Sequence, residues 1–297
     1  ATAVVLTCAS NKTVAACQTQ AAINSDFNSW LATTTASGGC NRVLTNNNTG
    51  APNHCGGSTT VTFTVTSDCE TTKTCSATYT VTAATAVVLT CASNVTEVAC
   101  QTQSQINTKY SNWLTETTTS GGCNPVFTNN STGAPSACGG SKTVTWTVTS
   151  DCEAPKTCSA TFTVVNATAV VITCPSNTTE VACQSQASID AKYNDWLATA
   201  SYSGGCNVNF TSNSTGAPPA CGGARTVTFT ATSDCEAPKT CTATFTVTAA
   251  PPVVLTCPSN VTEAACQTQA AIDSKYAAWF NSATASGGCN AVFTNNN

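Results

Sequence analysis

The sequence predicts a mainly β protein, made of tandem 83-residue sandwich repeats that each carry one short α-helix and three disulfides. Three observations lead there. First, Cys8, Cys91, Cys174 and Cys257 each sit in a V-[LI]-T-C-[AP]-S-N context, and successive members are 83 residues apart. A fixed period of this size outranks any estimate of domain number from length. It divides the chain into repeats 1–83, 84–166 and 167–249 and a shorter fourth, 250–297, which reads as a piece of a longer array. Second, in Cys55–Val81 the residues Val61, Phe63 and Val65 alternate with threonines, and Ala77, Tyr79 and Val81 alternate again. That is the period of two expected of a hairpin with one apolar and one hydroxyl face. The stretch returns as Cys138–Val164 and Cys221–Val247. Third, there are 21 cysteines at repeating spacings.

Composition excludes several functions. Charged residues make up 8% of the chain, against roughly 25% in ordinary soluble domains. The net charge is −4 with no basic run, so nucleic acid is not an expected partner. No apolar run approaches the ~20 residues of a membrane-spanning helix. Cysteines of this number and regularity read as a disulfide framework formed in an oxidising, extracellular setting. Zinc is a poor alternative, because the single histidine, His54, has no counterpart in the other repeats and zinc sites need paired ligand spacings. No cofactor or metal is expected.

The elements of the first repeat follow in order. Ala3–Thr7 and Thr13–Ala16 read as short strands, closed by Cys8 and Cys17. Thr19 to about Thr33 is the one helix, with Ile23, Phe27, Trp30 and Leu31 on one face of a 3.6-residue period. Its counterparts are Ile106, Tyr110, Trp113 and Leu114; Ile189, Tyr193, Trp196 and Leu197; and Ile272, Tyr276, Trp279 and Phe280. Core packing against a sheet is the expected role of this stripe, and a sugar-stacking platform the rival. Thr19, Thr102, Ser185 and Thr268 are N-cap candidates. Asn41–Thr45 reads as a strand, Asn46–Pro52 as a loop, and Glu70–Lys73 as the hairpin turn, with proline in the later copies. The junction Val81–Val88 contains no glycine and no long polar linker, so stiff connections between repeats are expected.

Six cysteines allow fifteen pairings. If the strand after Cys8 runs parallel to the strand after Cys75, these two cysteines share one end of the repeat. Cys55 and Cys69 bracket one extended strand and lie too far apart to bond. An antiparallel Asn41–Thr45 would bring Cys40 near Cys69, leaving Cys17 with Cys55. The ranked scheme is therefore Cys8–Cys75, Cys40–Cys69 and Cys17–Cys55. It repeats as Cys91–Cys158, Cys123–Cys152 and Cys100–Cys138, then as Cys174–Cys241, Cys206–Cys235 and Cys183–Cys221.

The motifs V-x-L-T-C-x-[AS]-N, CGGS-x-TVT-[FW]-T-[VA]-TSDC and TC-[ST]-AT-[FY]-TV resemble the HYR-like repeats of giant surface adhesins of the Bacteroidota, including the SprB-type gliding adhesin. The resemblance covers essentially the whole chain. It implies tandem immunoglobulin-like β-sandwich repeats of 83 residues in a cell-surface filament, exported through the type IX secretion system and carried along the cell during gliding. The simplest HYR module has one cysteine pair, matching Cys8 and Cys75; the helix and the remaining cysteines exceed it.

No enzyme is expected. Nucleophilic catalysis needs a base, and the lone His54 is not repeated. The carboxylate pairs Asp68/Glu70, Asp151/Glu153 and Asp234/Glu236 suit turn chemistry better than calcium, which takes six to eight oxygens. The expected function is a structural repeat region of a secreted adhesin or filament, a disulfide-stapled rigid rod that supports adhesion or gliding. The rival is a set of glycan- or polymer-binding modules acting by avidity. Expected partners are neighbouring repeats of the chain, and beyond it surface polysaccharide or other cells.

Overall fold

A computed structural model describes residues 2–289 and 291–295. It forms two compact bodies, residues 1–165 and 166–297. In the first body the repeat is seen twice. Its elements in residues 1–83 are β1 (Val5–Thr7), β2 (Lys12–Val14), α1 (Gln20–Leu31), β3 (Thr35–Ser37), β4 (Val43–Asn46), β5 (Gly57–Ser67) and β6 (Glu70–Val81). One sheet has the order β2-β6-β5-β4, and β1 pairs with β3 in a second. β2 runs parallel to β6 while β5 is antiparallel to both β4 and β6. This is an immunoglobulin-like sandwich with a helix added to it.

The alternating pattern dictates the core. Val61, Phe63 and Val65 of β5 and Ala77, Tyr79 and Val81 of β6 are all buried, and Ile23, Phe27 and Trp30 of α1 share one core cluster with all of these but Val65. A buried valine, isoleucine or phenylalanine of this set contributes about 1.5–3 kcal/mol. The rings meet edge-on: Phe27 and Tyr79 lie 5.2 Å apart at 89°, a favoured aromatic geometry. The Trp30 indole N–H donates to the Ser10 carbonyl at 2.7 Å, so the ring is buried without losing a hydrogen bond. Thr19 caps α1 by accepting from the Ala22 N–H. On the outer face Thr60 pairs with Thr78 and Thr62 with Ser76, each at 2.9 Å.

The second copy, residues 84–165, has its own core around Ile106, Tyr110, Trp113, Trp146 and Phe162. The second body opens with a third copy, whose core includes Ile189, Tyr193, Trp196, Phe229 and Phe245. Leu31, Leu114 and Leu197 pack at the margins of the three cores. The helix Gln269–Phe280 differs. It buries no residue, and Tyr276 is 48% exposed. Ile272, Tyr276, Trp279 and Phe280 are thus not a buried stripe, because residues 250–297 hold no counterpart of the β5–β6 hairpin to receive it.

The hairpin turn is tighter than the sequence suggests. Asp68 and Cys69 alone connect β5 to β6, Ser67 pairs with Glu70, and the register shifts between Val65 and Ser67. Glu70–Lys73 is strand, as are its counterparts Glu153–Lys156 and Glu236–Lys239. Pro155 and Pro238 are accommodated opposite the corresponding bulge, where the ladder is interrupted and a missing N–H costs nothing.

Candidate functional site, a stapled junction between repeats

The feature that most distinguishes this chain is the way one repeat is fastened to the next. In the first body the connecting segment Thr82–Val87 is held from both sides. On the side of repeat 1, the Thr82 N–H donates to Val14 O at 2.9 Å and the Ala84 N–H to Cys55 O at 2.9 Å. A Cβ on Gly56 would lie 2.8 Å from Ala83 Cα, so only glycine lets the two backbones approach there. On the side of repeat 2, the Gly122 N–H donates to Thr85 O at 2.9 Å. Val87 N–H donates to Glu153 Oε1, and Lys156 Nζ donates to Val87 O. Every residue of the connector is within one position of an anchored one.

Two disulfides cross the same junction. Cys17 is bonded to Cys123 with Cα atoms 4.8 Å apart, and Cys55 to Cys152 with Cα atoms 5.3 Å apart. Within each of the first three repeats a further bridge ties the start of the fold to β6 or its equivalent: Cys8–Cys75, Cys91–Cys158 and Cys174–Cys241, with Cα separations of 6.0–6.1 Å. In the second body Cys183 is bonded to Cys289. There the Thr248 N–H donates to Glu180 O, the Ala250 N–H to Cys221 O and the Gly288 N–H to Pro251 O, all at 2.8–2.9 Å. Cys100, Cys138, Cys206 and Cys235 are also disulfide-bonded.

These bonds correct the pairing expected within single repeats. Cys17 and Cys55 do share one end, since the Cys17 N–H donates to His54 O, and Cys40 and Cys69 share the other, yet neither pair is bonded. Cys40 and Cys69 are free thiols. Cys123 and Cys152, expected to bond each other, bond Cys17 and Cys55, and Cys183 bonds Cys289 rather than Cys221. The physical reason is the length of β5, 11 residues. At about 3.3 Å per residue it sets two cysteine pairs at opposite ends of the sandwich. The tail of one repeat then meets the head of the next, and bonds form across the contact.

The carboxylates beside the hairpin turn are structural. Glu70 Oε1 accepts from the Val4 N–H at 2.8 Å, and its other oxygen pairs with Lys73 at 3.2 Å. Lys73 Nζ in turn donates to Val4 O at 2.5 Å. The Val4 hydrogen bond, followed by the lysine, holds the Glu70 carboxyl below its ordinary range, and Val87 with Lys156 does the same for Glu153. Asp68 accepts from Asn41 Nδ2 at 2.8 Å, as Asp151 and Asp234 do from Asn124 and Asn207. The pairs therefore clamp the repeat's first segment and its cysteine loop. Elsewhere in repeat 1, Lys12 and then Tyr79 hold the Asp26 carboxyl low, through contacts of 2.7 and 2.6 Å.

Trp30, Trp113 and Trp196 are 4%, 2% and 6% exposed, which removes them as sugar-stacking platforms. Among the described residues, one grouping has metal-ligand character: His54, Cys55 and Cys152. Its two sulfurs are bonded to each other, and a disulfide sulfur has no thiolate to offer a metal. Sequence reasoning missed the cross-junction bonds because each of the first three repeats has six cysteines, an even count that can be satisfied internally.

No protein-family model matches the chain, and no curated protein matches it. Similar solved structures include protocadherin gamma B2 extracellular cadherin domains 3–6, at 10% identity over 76% of this chain and 70% of that one, with a TM-score of 0.28. Sidekick-1 immunoglobulin domains 1–5 are similar at 11% identity over 70% of this chain and 52% of that one, with a TM-score of 0.26. The titin I-band fragment I67–I69 is similar at 8% identity over 73% and 91%, with a TM-score of 0.24.

Proposed function

We propose that the chain is the structural repeat region of a secreted cell-surface adhesin or filament, divided into repeats 1–83, 84–166, 167–249 and 250–297. In this reading the repeats are a stiff spacer, extending from the cell and supporting adhesion, with gliding the setting that the HYR-like resemblance implies. The carrying observation is the junction at Thr82–Val87, pinned by hydrogen bonds to both repeats and crossed by two disulfides. Such a junction resists bending without relying on a large hydrophobic interface. Reliance on disulfides supports an oxidising location outside the cell, and among the described residues no helix is long and apolar enough to cross a membrane. A role as glycan-binding modules is less well supported, since the stripe tryptophans of the first three repeats are core residues and the outer hydroxyls bond one another.

Small-angle scattering of the oxidised chain tests the spacer reading. The expected particle is several times longer than wide, and it becomes more flexible when the disulfides are reduced. A compact particle, or one whose flexibility is unaffected by reduction, defeats it.

A further inference from the structure

Cys40 and Cys69 are free, yet they stand at the positions that in repeat 2 hold Cys123 and Cys152, the receiving ends of both junction disulfides. The loop around them has the same frame. Ser67 Oγ accepts from the Cys40 N–H and donates to Cys40 O, each at 3.0 Å. Ser150 does the same for Cys123 at 2.9 and 3.1 Å. The Asp68 N–H donates to Cys40 O at 3.1 Å, and the Asp151 N–H to Cys123 O at 3.1 Å. Asn41 and Asn124 share the same positive φ, 49° and 50°. What differs is cover. Cys123 is completely buried, whereas Cys40 is half-buried and Cys69 exposed.

We propose that the Cys40–Cys69 end of repeat 1 is a preformed docking surface for another repeat of this kind, locked on by two disulfides from that repeat's counterparts of Cys17 and Cys55. The inference rests on the cysteine geometry alone and not on the adhesin reading. Each bond joins two thiols and transfers two electrons and two protons to a disulfide oxidant. With oxidised glutathione as that oxidant, two reduced glutathiones leave for every bond formed. The loop is already folded as in repeat 2, so the incoming repeat need not order it, and pre-organisation of this sort favours binding.

The test is the full chain extended at its start by a second copy of residues 84–166. Val165-Asn166 of the added repeat then meets Ala1-Thr2-Ala3-Val4, which reproduces the natural run Val165–Val170. After oxidation in a glutathione couple, non-reducing peptide mapping locates the partners of Cys40 and Cys69. The expected result is Cys40 bonded to the added copy of Cys100, the counterpart of Cys17, and Cys69 bonded to a copy of Cys138, the counterpart of Cys55. Both should form in the same yield as Cys17–Cys123. In the C69S version the Cys40 bond should persist and one Cys138 thiol should become free to alkylate. A Cys40–Cys69 bond, or two free thiols beside an intact Cys17–Cys123 bond, overturns the proposal. Loss of Cys17–Cys123 in the extended chain counts against it as well, because it would show that a native junction sequence does not admit a further repeat.

Discussion

Removing one junction staple is the most direct probe of how the repeats are held. In C55S/C152S both sulfurs go, so no stray thiol confuses the result. The bond spans 97 residues, and a loop of that size limits the unfolded chain by about 4.7 kcal/mol on the entropy model. Cys17–Cys123 remains, so the ring that the second staple closes is smaller, about 70 residues, and the logarithm lowers the figure only slightly. Native disulfides deliver about 2–4 kcal/mol in practice. For a body of this size 1 kcal/mol moves the midpoint by about 2–4 °C, so a fall of roughly 4–16 °C is expected. C8S/C75S supplies the comparison. Its loop is shorter, 67 residues, but Cys8 and Cys75 pack against the core of repeat 1, so a larger fall is expected. Thermal denaturation followed by circular dichroism reads both. An unchanged midpoint in C55S/C152S would refute the argument that the cross-junction bond carries stability.

Three further outcomes are expected. Glu70 and Glu153 have carboxyl pKa values lowered in the fold, by Val4 with Lys73 and by Val87 with Lys156. Their contribution is therefore fully present above the unfolded carboxylate pKa of about 4.3 and is lost as pH falls through the lower folded value. The melting midpoint should hold from neutral pH down to about pH 5 and then decline, and E70Q/E153Q should start lower with a shallower acid slope; identical slopes would argue against the clamps. Trp146 has a buried indole N–H with no partner, while Phe63 and Phe229 occupy the matching places in the other repeats. W146F relieves an unpaired donor worth about 1–3 kcal/mol at the expense of some packing, so urea unfolding should show little change or a gain; a loss above ~2 kcal/mol contradicts this. Gly38 has φ 74° and a Cβ there would sit 2.1 Å from Ala3 O, whereas Gly50 has φ 109° and open space. G38A should therefore lower the melting midpoint well beyond G50A, and equal effects would deny the close approach.

The local organisation of this protein is legible in its sequence. The 83-residue period, the alternation of Val61, Phe63 and Val65 with threonines, and the 3.6-residue stripe of Ile23, Phe27 and Trp30 are properties of neighbouring residues, and period determines which face is buried. The exact turn was not legible. Glu70–Lys73 reads as polar turn chemistry, but Glu70 and Lys73 find a distant use clamping Val4, and that contact spans nearly the whole repeat. The cysteine pairing was decided by tertiary structure for a related reason. Residue spacing shows that Cys17 belongs near Cys55 and Cys40 near Cys69, because strand length separates the two ends. It does not show that the head of one sandwich rests on the tail of the one before it. Only that contact brings Cys123 and Cys152 within bonding distance of Cys17 and Cys55, and it is made by folded surfaces rather than by any stretch of chain.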